Sequence, residues 1–216
     1  MRYSALICFL FVFGCQAPPQ EESMDANQLN EEEADTIDLS SINPEEVEPE
    51  KVEIEEVTAN MDEIELVKIE DLEIKENGSI IEKGTGNPFS GGVVANYENG
   101  KMKERYLVDK GLKHGPYEKF FDNGNLNRKC AYKSGKLHGS FKKWYESGKR
   151  ASEGQFLDGF EVGEFTWWYE NGFRSEKGGF NMGKEHGVWM YYSEIGRVLE
   201  KIVFYEGQEL EIEDGY

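Results

Sequence analysis

A glycine recurs every 24 residues from residue 91 onward, and this spacing restricts the possible folds more than any other feature. The recurring positions are Gly91, Gly115, Gly139, Gly163 and Gly187. Each of them opens a phrase rich in aromatic residues. A fixed period of this length indicates one small unit copied in tandem. Tandem units form extended binding surfaces more often than single reaction centres.

Each copy has the pattern of two short strands separated by glycine turns. In the copy that begins at Gly115, strands are predicted at 117–121 and 126–132, and the second alternates with period two. Such short strands predict an all-β fold, an elongated single-layer antiparallel β-meander of tandem 24-residue hairpins. Asn77-Gly78, ahead of the first copy, predicts a two-residue hairpin turn, because both residue types tolerate positive φ.

The first fifteen residues have the features of an export signal. Arg2 precedes an apolar run at 5–14, which is too short to span a bilayer and fits the centre of a secretory signal. The run ends in Val12-Phe-Gly-Cys15, which resembles the bacterial lipoprotein box, although Phe13 is bulkier than usual there. We expect residues 1–14 to be a signal peptide and Cys15 to be lipidated, anchoring the chain to a membrane of the bacterial envelope. The alternative is an ordinary signal peptide with an incidental cysteine.

Composition divides the rest of the chain into segments. Residues 1–76 carry 22 acidic and four basic residues, whereas residues 77–216 carry 21 and 20. Residues 15–60 contain no aromatic residue and too little apolar surface to offset chain entropy, so they are predicted to be a disordered acidic stalk. We expect degenerate capping strands at 61–90, five repeats at 91–210 and a C-terminal tail at 211–216.

The repeats resemble a known family. The phrase is Gly-x-aromatic-x-x-aromatic-aromatic-x-x-Gly, followed by a variable strand and Lys-x-Gly-x-x-His-Gly. It is similar to the MORN-repeat variant of proteins described as YwqK-type antitoxins, over roughly residues 77–210. Val93 and Asn96 in the first copy and Ser193 in the last depart from it. The resemblance implies a long twisted sheet with one hairpin per repeat, and roles in antitoxin, membrane or protein binding, without naming a ligand.

The aromatic positions of successive repeats predict rows of rings that run across the sheet. The three rows are Tyr117, Phe141, Phe165, Trp189; Phe120, Trp144, Trp168, Tyr192; and Tyr97, Phe121, Tyr145, Tyr169. Because neighbours along a strand point to opposite faces, one row can form the core while another is exposed. Two interpretations stay open for each row, namely rings that pack on one another and rings that bind a partner.

Charge within the repeats is polarised. Residues 101–150 hold 14 basic and five acidic residues, and residues 151–216 hold five and 14. The basic stretch is interpreted as a docking surface for an anionic partner, as a site for the chain's own acidic segment, or as a solvated face. Nucleic acid is not expected as a partner for an exported chain with a net charge of −19. The candidate partner-binding residues are Phe120, Trp144, Trp168, Tyr192, Lys142, Lys143 and Arg150.

No constellation for catalysis or metal binding is predicted. His114, His138 and His186 precede the opening glycines, but even successive repeats place this position about 9–10 Å apart, which is too far for one shared zinc. Cys130 is interpreted as a packed small residue, with a nucleophile as the alternative. His-Glu-x-x-His, phosphate-cradling and Cys-x-x-Cys motifs are all missing from the sequence. We therefore expect no enzyme activity, no metal and no cofactor.

These patterns predict a non-enzymatic, envelope-anchored protein that holds a protein partner on its repeat surface, with toxin neutralisation as the role that the resemblance implies. The alternatives are a carbohydrate or cell-wall binding module and a structural spacer. The sequence leaves open the identity of the partner, the membrane leaflet, the oligomeric state and the row that is exposed. It also leaves open whether the acidic stalk docks on the basic repeats.

Overall fold

The computed structural model describes residues 42–43, 46–49, 52–54 and 59–210. The predicted signal peptide, Cys15 and the predicted tail at 211–216 lie outside these ranges, as does most of the predicted stalk. Among the described residues, regular structure consists of β-strands and two short 3-10 helices, Met61–Glu63 and Ile69–Asp71.

Fourteen strands lie within the described residues. They are β1 Leu66–Lys68, β2 Leu72–Ile74, β3 Ile80–Glu82, β4 Gly91–Asn96, β5 Met102–Asp109, β6 Leu112–Phe120, β7 Leu126–Lys133, β8 Lys136–Trp144, β9 Arg150–Leu157, β10 Phe160–Trp168, β11 Arg174–Asn181, β12 Lys184–Tyr192, β13 Val198–Tyr205 and β14 Gln208–Leu210.

The strands form one long open sheet in sequence order. Its order is β1-β4-β5-β6-β7-β8-β9-β10-β11-β12-β13-β14, and only β2 and β3 pair separately. Neighbours from β4 onward are antiparallel, whereas β1 runs parallel to β4. The predicted single-layer antiparallel meander of hairpin repeats is therefore confirmed.

The glycine that defines the period lies inside a strand, and the predicted strands of five to seven residues were too short. Gly115 is the fourth residue of the nine-residue β6 and has a φ of 97°. The pairing of β5 with β6 shifts register between Tyr106 and Val108, opposite this glycine. Positive φ at a shift of register is the geometry of a β-bulge, which glycine adopts without steric cost. From Gly115 to Gly187 the period in the sequence therefore marks a bulge, whereas Gly91 is the first residue of β4 and lies at no shift of register.

The hairpins of this chain are closed by two kinds of turn, which differ in how many residues have positive φ. Lys110 and Gly111 both have positive φ, 49° and 81°, which is the two-residue turn that suits a tight hairpin. At Asn77-Gly78 only Gly78 has positive φ, so the prediction of a two-residue turn there was wrong. The Asn77 side chain accepts a hydrogen bond from the Ser79 amide at 3.0 Å. That bond holds Asn77 in a three-residue turn closed by Gly78.

The sheet has two chemically distinct faces. Cross-strand partners join Tyr117 to Cys130, Cys130 to Phe141, and Phe165 to Gly178. Partners that lie opposite each other project to the same side. The side that carries the first predicted ring row is called the aromatic face, and the other side is the strap face.

The rings of the aromatic face cover one another. Phe156 lies edge-on between Phe141 and Phe165, with centroids 5.3 and 5.6 Å apart, and Phe180 bridges Phe165 and Trp189 at 5.2 Å from each. Edge-to-face pairs at these distances are favourable arrangements of the ring quadrupoles. Phe165 and Trp189 are only 4% and 3% exposed, so this row is core.

The residues before the first repeat cover both faces of the sheet. The β2–β3 hairpin packs Leu72 and Ile80 against Val93 and Tyr106 and so caps the aromatic face beside β4 and β5. The described residues between 42 and 62, which we call the strap, lie on the opposite face. Val47 of the strap is buried against Val203 and Leu210.

The strap crosses the sheet from the last repeat to the first. Pro49 lies where a side chain on Gly179 or Gly187 would sit. At the other end Asp62 accepts a 2.7 Å hydrogen bond from Arg105. Part of the acidic segment therefore docks on the repeats. For the residues outside the described ranges, the disordered stalk stays a prediction.

The flat packing of Trp189 requires a glycine beneath it. A Cβ at Gly178 would lie 2.1 Å from the indole, whereas the equivalent Cys130 already fits its side chain. We expect Gly178→Val to lower the free energy of unfolding by about 3 kcal/mol, because overpacking displaces the indole, and Cys130→Val by less than about 1.5 kcal/mol. Urea unfolding followed by circular dichroism measures both, and equal costs would contradict this packing.

Candidate functional site

Four aromatic side chains form a row at the ends of alternate strands. Phe120, Trp144, Trp168 and Tyr192 are the last residues of β6, β8, β10 and β12, and all are half-buried. Tyr192 places its hydroxyl 3.2 Å from the Met190 sulfur. Met190 alternates with the buried Trp189, so the row projects from the strap face. We call it the outer ring row, and it is the second row that the sequence predicts.

The outer ring row is not part of the stacked core. None of the ring pairs found among the described residues includes its members, in contrast to the first row. Two clefts flank the strap, and the residues that line them belong to other positions of the sheet. The row lies where these strands lead into turns with a single positive-φ glycine, as at Gly78; the glycines are Gly124, Gly148, Gly172 and Gly196.

A second set of aromatic residues fixes the backbone of this row. The Tyr97, Tyr145 and Tyr169 hydroxyls each donate to a carbonyl in the next repeat, at 2.5–2.7 Å. The accepting carbonyls belong to Phe120, Trp168 and Tyr192. Burial raises the pKa of Tyr97 and Tyr145, which keeps both hydroxyls protonated as donors. The main chain at three of the four positions is therefore held by hydrogen bonds between repeats before any partner binds.

The candidate basic residues do not form one cluster. Lys142 and Lys143 are consecutive in β8, so their exposed side chains project to opposite faces. Lys143 lies opposite Arg128 on the aromatic face, and Lys142 lies opposite Lys129 on the strap face. Arg150 pairs in register with Trp144 and donates to Glu153 at 3.0 Å. Lys142 and Arg150 therefore share the face of the outer ring row, and Lys143 does not.

The first half of the aromatic face is basic. Lys113 lies over the rings of Tyr106, Tyr117 and Tyr132, 4.7–5.5 Å from their centroids, and Arg128 lies 4.8 Å from that of Tyr117. These are cation–π distances. Strand register adds two lysines to the same face. Arg128 of β7 lies between Lys119 of β6 on one side and Lys143 of β8 on the other.

The second half of the aromatic face is acidic. Register places Glu176 opposite Trp167, Glu185 opposite Phe180 and Glu200 opposite Tyr191. Burial raises the pKa of Glu176, and the charge of Glu185 raises it further. Burial, together with the charges of Glu185, Glu176, Glu200 and Glu209, raises the pKa of Tyr191 to about 12. Register therefore places these carboxylates together on the same aromatic patch, and the raised pKa values are the electrostatic consequence.

The sequence pattern missed this charged part of the aromatic face. Trp167, Tyr191, Glu176 and Glu185 were not among the predicted site residues. The signal was present, because Lys119, Lys143, Trp167 and Tyr191 recur at intervals of 24. Recognising it requires the alternation of each strand to be traced from the buried ring two residues earlier.

The three histidines have a structural role in the repeats. The His114 and His186 imidazoles accept from the amides of Ser134 and Glu206, and His138 pairs with Asp158 at 3.1 Å. Each partner is the first residue of a two-residue turn, twenty positions further along. The imidazoles therefore hold the neighbouring turn in place. Within the described ranges, acidic, histidine and cysteine side chains form no group of three suited to a metal.

The comparisons with known proteins agree with the repeat architecture. Residues 113–134 and 137–158 match the family described as MORN repeat variant. The matched segments correspond to β6–β7 and β8–β9, two adjacent copies of the 24-residue unit. No curated protein matches the chain. The family match is to a repeat module and does not point to an enzyme.

No membrane-crossing helix is present in the part of the chain that the structure describes, since none of its helices has the necessary length and apolar character.

The hydrogen bonds that tyrosine hydroxyls donate to the next repeat can be tested at Phe121, where a hydroxyl can be added. Phe121 occupies the position of Tyr97 and Tyr145 but has no hydroxyl to donate to the next repeat. We expect Phe121→Tyr to raise the free energy of unfolding by about 1 kcal/mol, and Tyr145→Phe to lower it by a similar amount. Chemical denaturation measures both changes. A destabilising Phe121→Tyr would contradict the repeated geometry.

The crowded carboxylates predict a pH-dependent stability difference. Because the folded-state pKa of Glu176 is raised, its ionisation destabilises the fold increasingly as pH rises through that pKa. We expect Glu176→Gln to stabilise the protein at pH 7. Its advantage should disappear below the unperturbed glutamate pKa of about 4.3. Unfolding of variant and wild type across this pH range tests it, and a pH-independent difference would contradict it.

Proposed function

We propose that this chain is a non-enzymatic binding protein of the bacterial envelope, which holds a protein partner on the outer ring row and the adjoining basic side chains. The observation that carries the proposal is the row itself. Phe120, Trp144, Trp168 and Tyr192 repeat at constant spacing, are half-buried and lie outside the stacked core.

The physical argument rests on preorganisation. Aromatic side chains contribute most to protein interfaces when they are rigid and supply large contact areas. Hydrogen bonds from Tyr97, Tyr145 and Tyr169 hold the backbone of this row, so little conformational entropy is lost when a partner binds. Lys142 lies on the same face, and Arg150 lies beside Trp144. They favour a partner with acidic groups near its apolar contact.

Localisation is inferred from the N-terminal sequence. The apolar run and Cys15 support export followed by lipidation, and the acidic residues after Cys15 support a spacer between membrane and array. The resemblance of the repeats to YwqK-type antitoxins supports a toxin as the protein that is held. Neutralisation would then follow from occupation of the toxin's surface, with no chemical step by this chain.

The experiment is a crosslinking pull-down from native membranes with the full chain. We expect wild type to enrich one specific protein, and Trp144→Ala/Trp168→Ala to reduce its recovery about tenfold or more, because two central anchors are lost. Phe160→Ala is the matched control, since Phe160 is 48% exposed and lies away from the row. Cys15→Ser should remove the chain and its partner from the membrane fraction.

The outcomes separate the parts of the proposal. Recovery of no specific protein by wild type would overturn the proposed function. A partner that the double tryptophan variant still holds would overturn the outer ring row as its site. Quenching of tryptophan fluorescence by a soluble cell-wall glycan, lost in Trp144→Ala, would replace the protein partner with a carbohydrate.

A further inference from the structure

The aromatic face carries opposite charges at its two ends. The basic end has Lys113, Lys119, Arg128 and Lys143 on β6, β7 and β8, with Glu104 nearby on β5. The acidic end has five glutamates on β10 to β14, placed there by their register with the aromatic residues of the same face. They are Glu161, Glu176, Glu185, Glu200 and Glu209.

These charges cannot neutralise each other within one chain. From β7 to β12 there are five steps in the sheet order, which corresponds to about 24 Å. Electrostatic interactions between exposed charges are screened beyond about 8 Å at physiological ionic strength. In the described part of the chain, no ion pair includes any of the five glutamates. The acidic end therefore lacks a cationic partner from its own sheet.

The same face also has apolar surface to cover. Trp167, Phe180, Tyr191 and Phe204 are half-buried, because the rings beside them cover only one side. The cap formed by β2 and β3 covers the face only near β4 and β5. The strap lies on the opposite side. The face from β6 onward is therefore without a second layer among the described residues.

We propose that the aromatic face is an interface between two copies of this chain, packed face to face and antiparallel, with the basic end of each copy against the acidic end of the other. A twofold axis near β9 and β10 brings β7 of one copy over β12 of its mate. Such an interface is closed and self-complementary. The parallel arrangement would place like charges together, which disfavours it.

The pairing accounts for the electrostatics of the acidic end. Burial and mutual repulsion raise the pKa of Glu176, so the isolated face holds its carboxylates at a cost. Lysine and arginine side chains of a second copy would remove that repulsion. The outer ring rows project from the strap faces, so both remain accessible on the two outer sides of the pair.

Charge reversal with rescue tests the arrangement. One variant combines Lys119→Glu with Lys143→Glu, and the other combines Glu200→Lys with Glu176→Lys, because the proposed axis brings β13 over β6 and β11 over β8. Each alone should weaken self-association at least about tenfold, because like charges then meet at both ends of the interface. An equimolar mixture should restore it, since the reversed end of each variant meets its complement in the other.

The measurement is sedimentation velocity of the full chain in a mild non-ionic detergent, at up to about 100 µM protein. Wild type should form dimers at about 0.05 M salt and dissociate towards about 0.5 M salt. Lys149→Glu and Glu194→Lys are the control variants, because both residues are exposed in the turns between strands and should leave the dimer unchanged.

Three results would overturn the inference. The first is a wild-type monomer at every concentration and low salt. The second is a dimer that both reversed variants still form, which would place the interface elsewhere. The third is growth beyond the dimer that charge reversal abolishes, which would indicate an open head-to-tail chain instead of a closed pair.

Discussion

A sheet with little stacked upon it must bury its apolar side chains against its own backbone and against one another. This constraint explains the order of large and small residues on the aromatic face. Phe165 and Trp189 lie over Gly154 and Gly178, where a Cβ would approach within 2.4 and 2.1 Å of the rings. The missing side chains let the rings lie against the peptide backbone. Phe156 and Phe180 then close the gaps between them.

On the other face, the strap covers part of the sheet instead of the sheet's own side chains. Its Val47 and Pro49 fill the surface above the last repeats, where Gly179 and Gly187 leave the backbone bare. At the first repeats the contact is ionic. Asp62 joins Arg105, which also pairs with Glu118. Burial raises the pKa of Glu118, but hydrogen bonds from Lys129 and Arg105 outweigh burial and hold it below its usual range. One face is therefore completed by chain that is not part of the repeats.

The repeat architecture could be predicted because its glycines and rings recur at a fixed interval. The strap could not be predicted, because its few apolar residues are outnumbered by acidic residues in the same segment. Glycines and rings at a constant interval specify hairpins without any knowledge of long-range contacts. Val47 and Pro49 are isolated among acidic residues, so composition over their segment indicates disorder. Their burial depends on bare glycine backbone more than 100 residues away, which no local pattern encodes. The two-residue turn predicted at Asn77-Gly78 was wrong for a local reason, because the Asn77 side chain accepts a hydrogen bond from the Ser79 amide and Asn77 does not adopt positive φ.

In the candidate site, too, the periodic features could be predicted from the sequence and the features that depend on strand pairing could not. The outer ring row could be predicted from its spacing, and the structure adds the tyrosine hydroxyls that hold it. The separation of Lys142 from Lys143 follows from strand alternation alone. The charge pattern of the aromatic face was hidden because bulges shift the register within each strand. Net charge counted along the chain mixes residues of both faces, and only the pairing of strands separates them.

The alternation of two turn types along opposite edges has a consequence for how such a chain can change length. One period contains one turn of each type, so the loss or gain of 24 residues rejoins strand positions that are equivalent in the repeat. Each such event alters the array by two strands, about 9–10 Å. A change of half that size would join a tight turn to a wide one and send each later strand in the opposite direction. Genetic duplication can therefore lengthen or shorten this surface only by whole repeats of two strands.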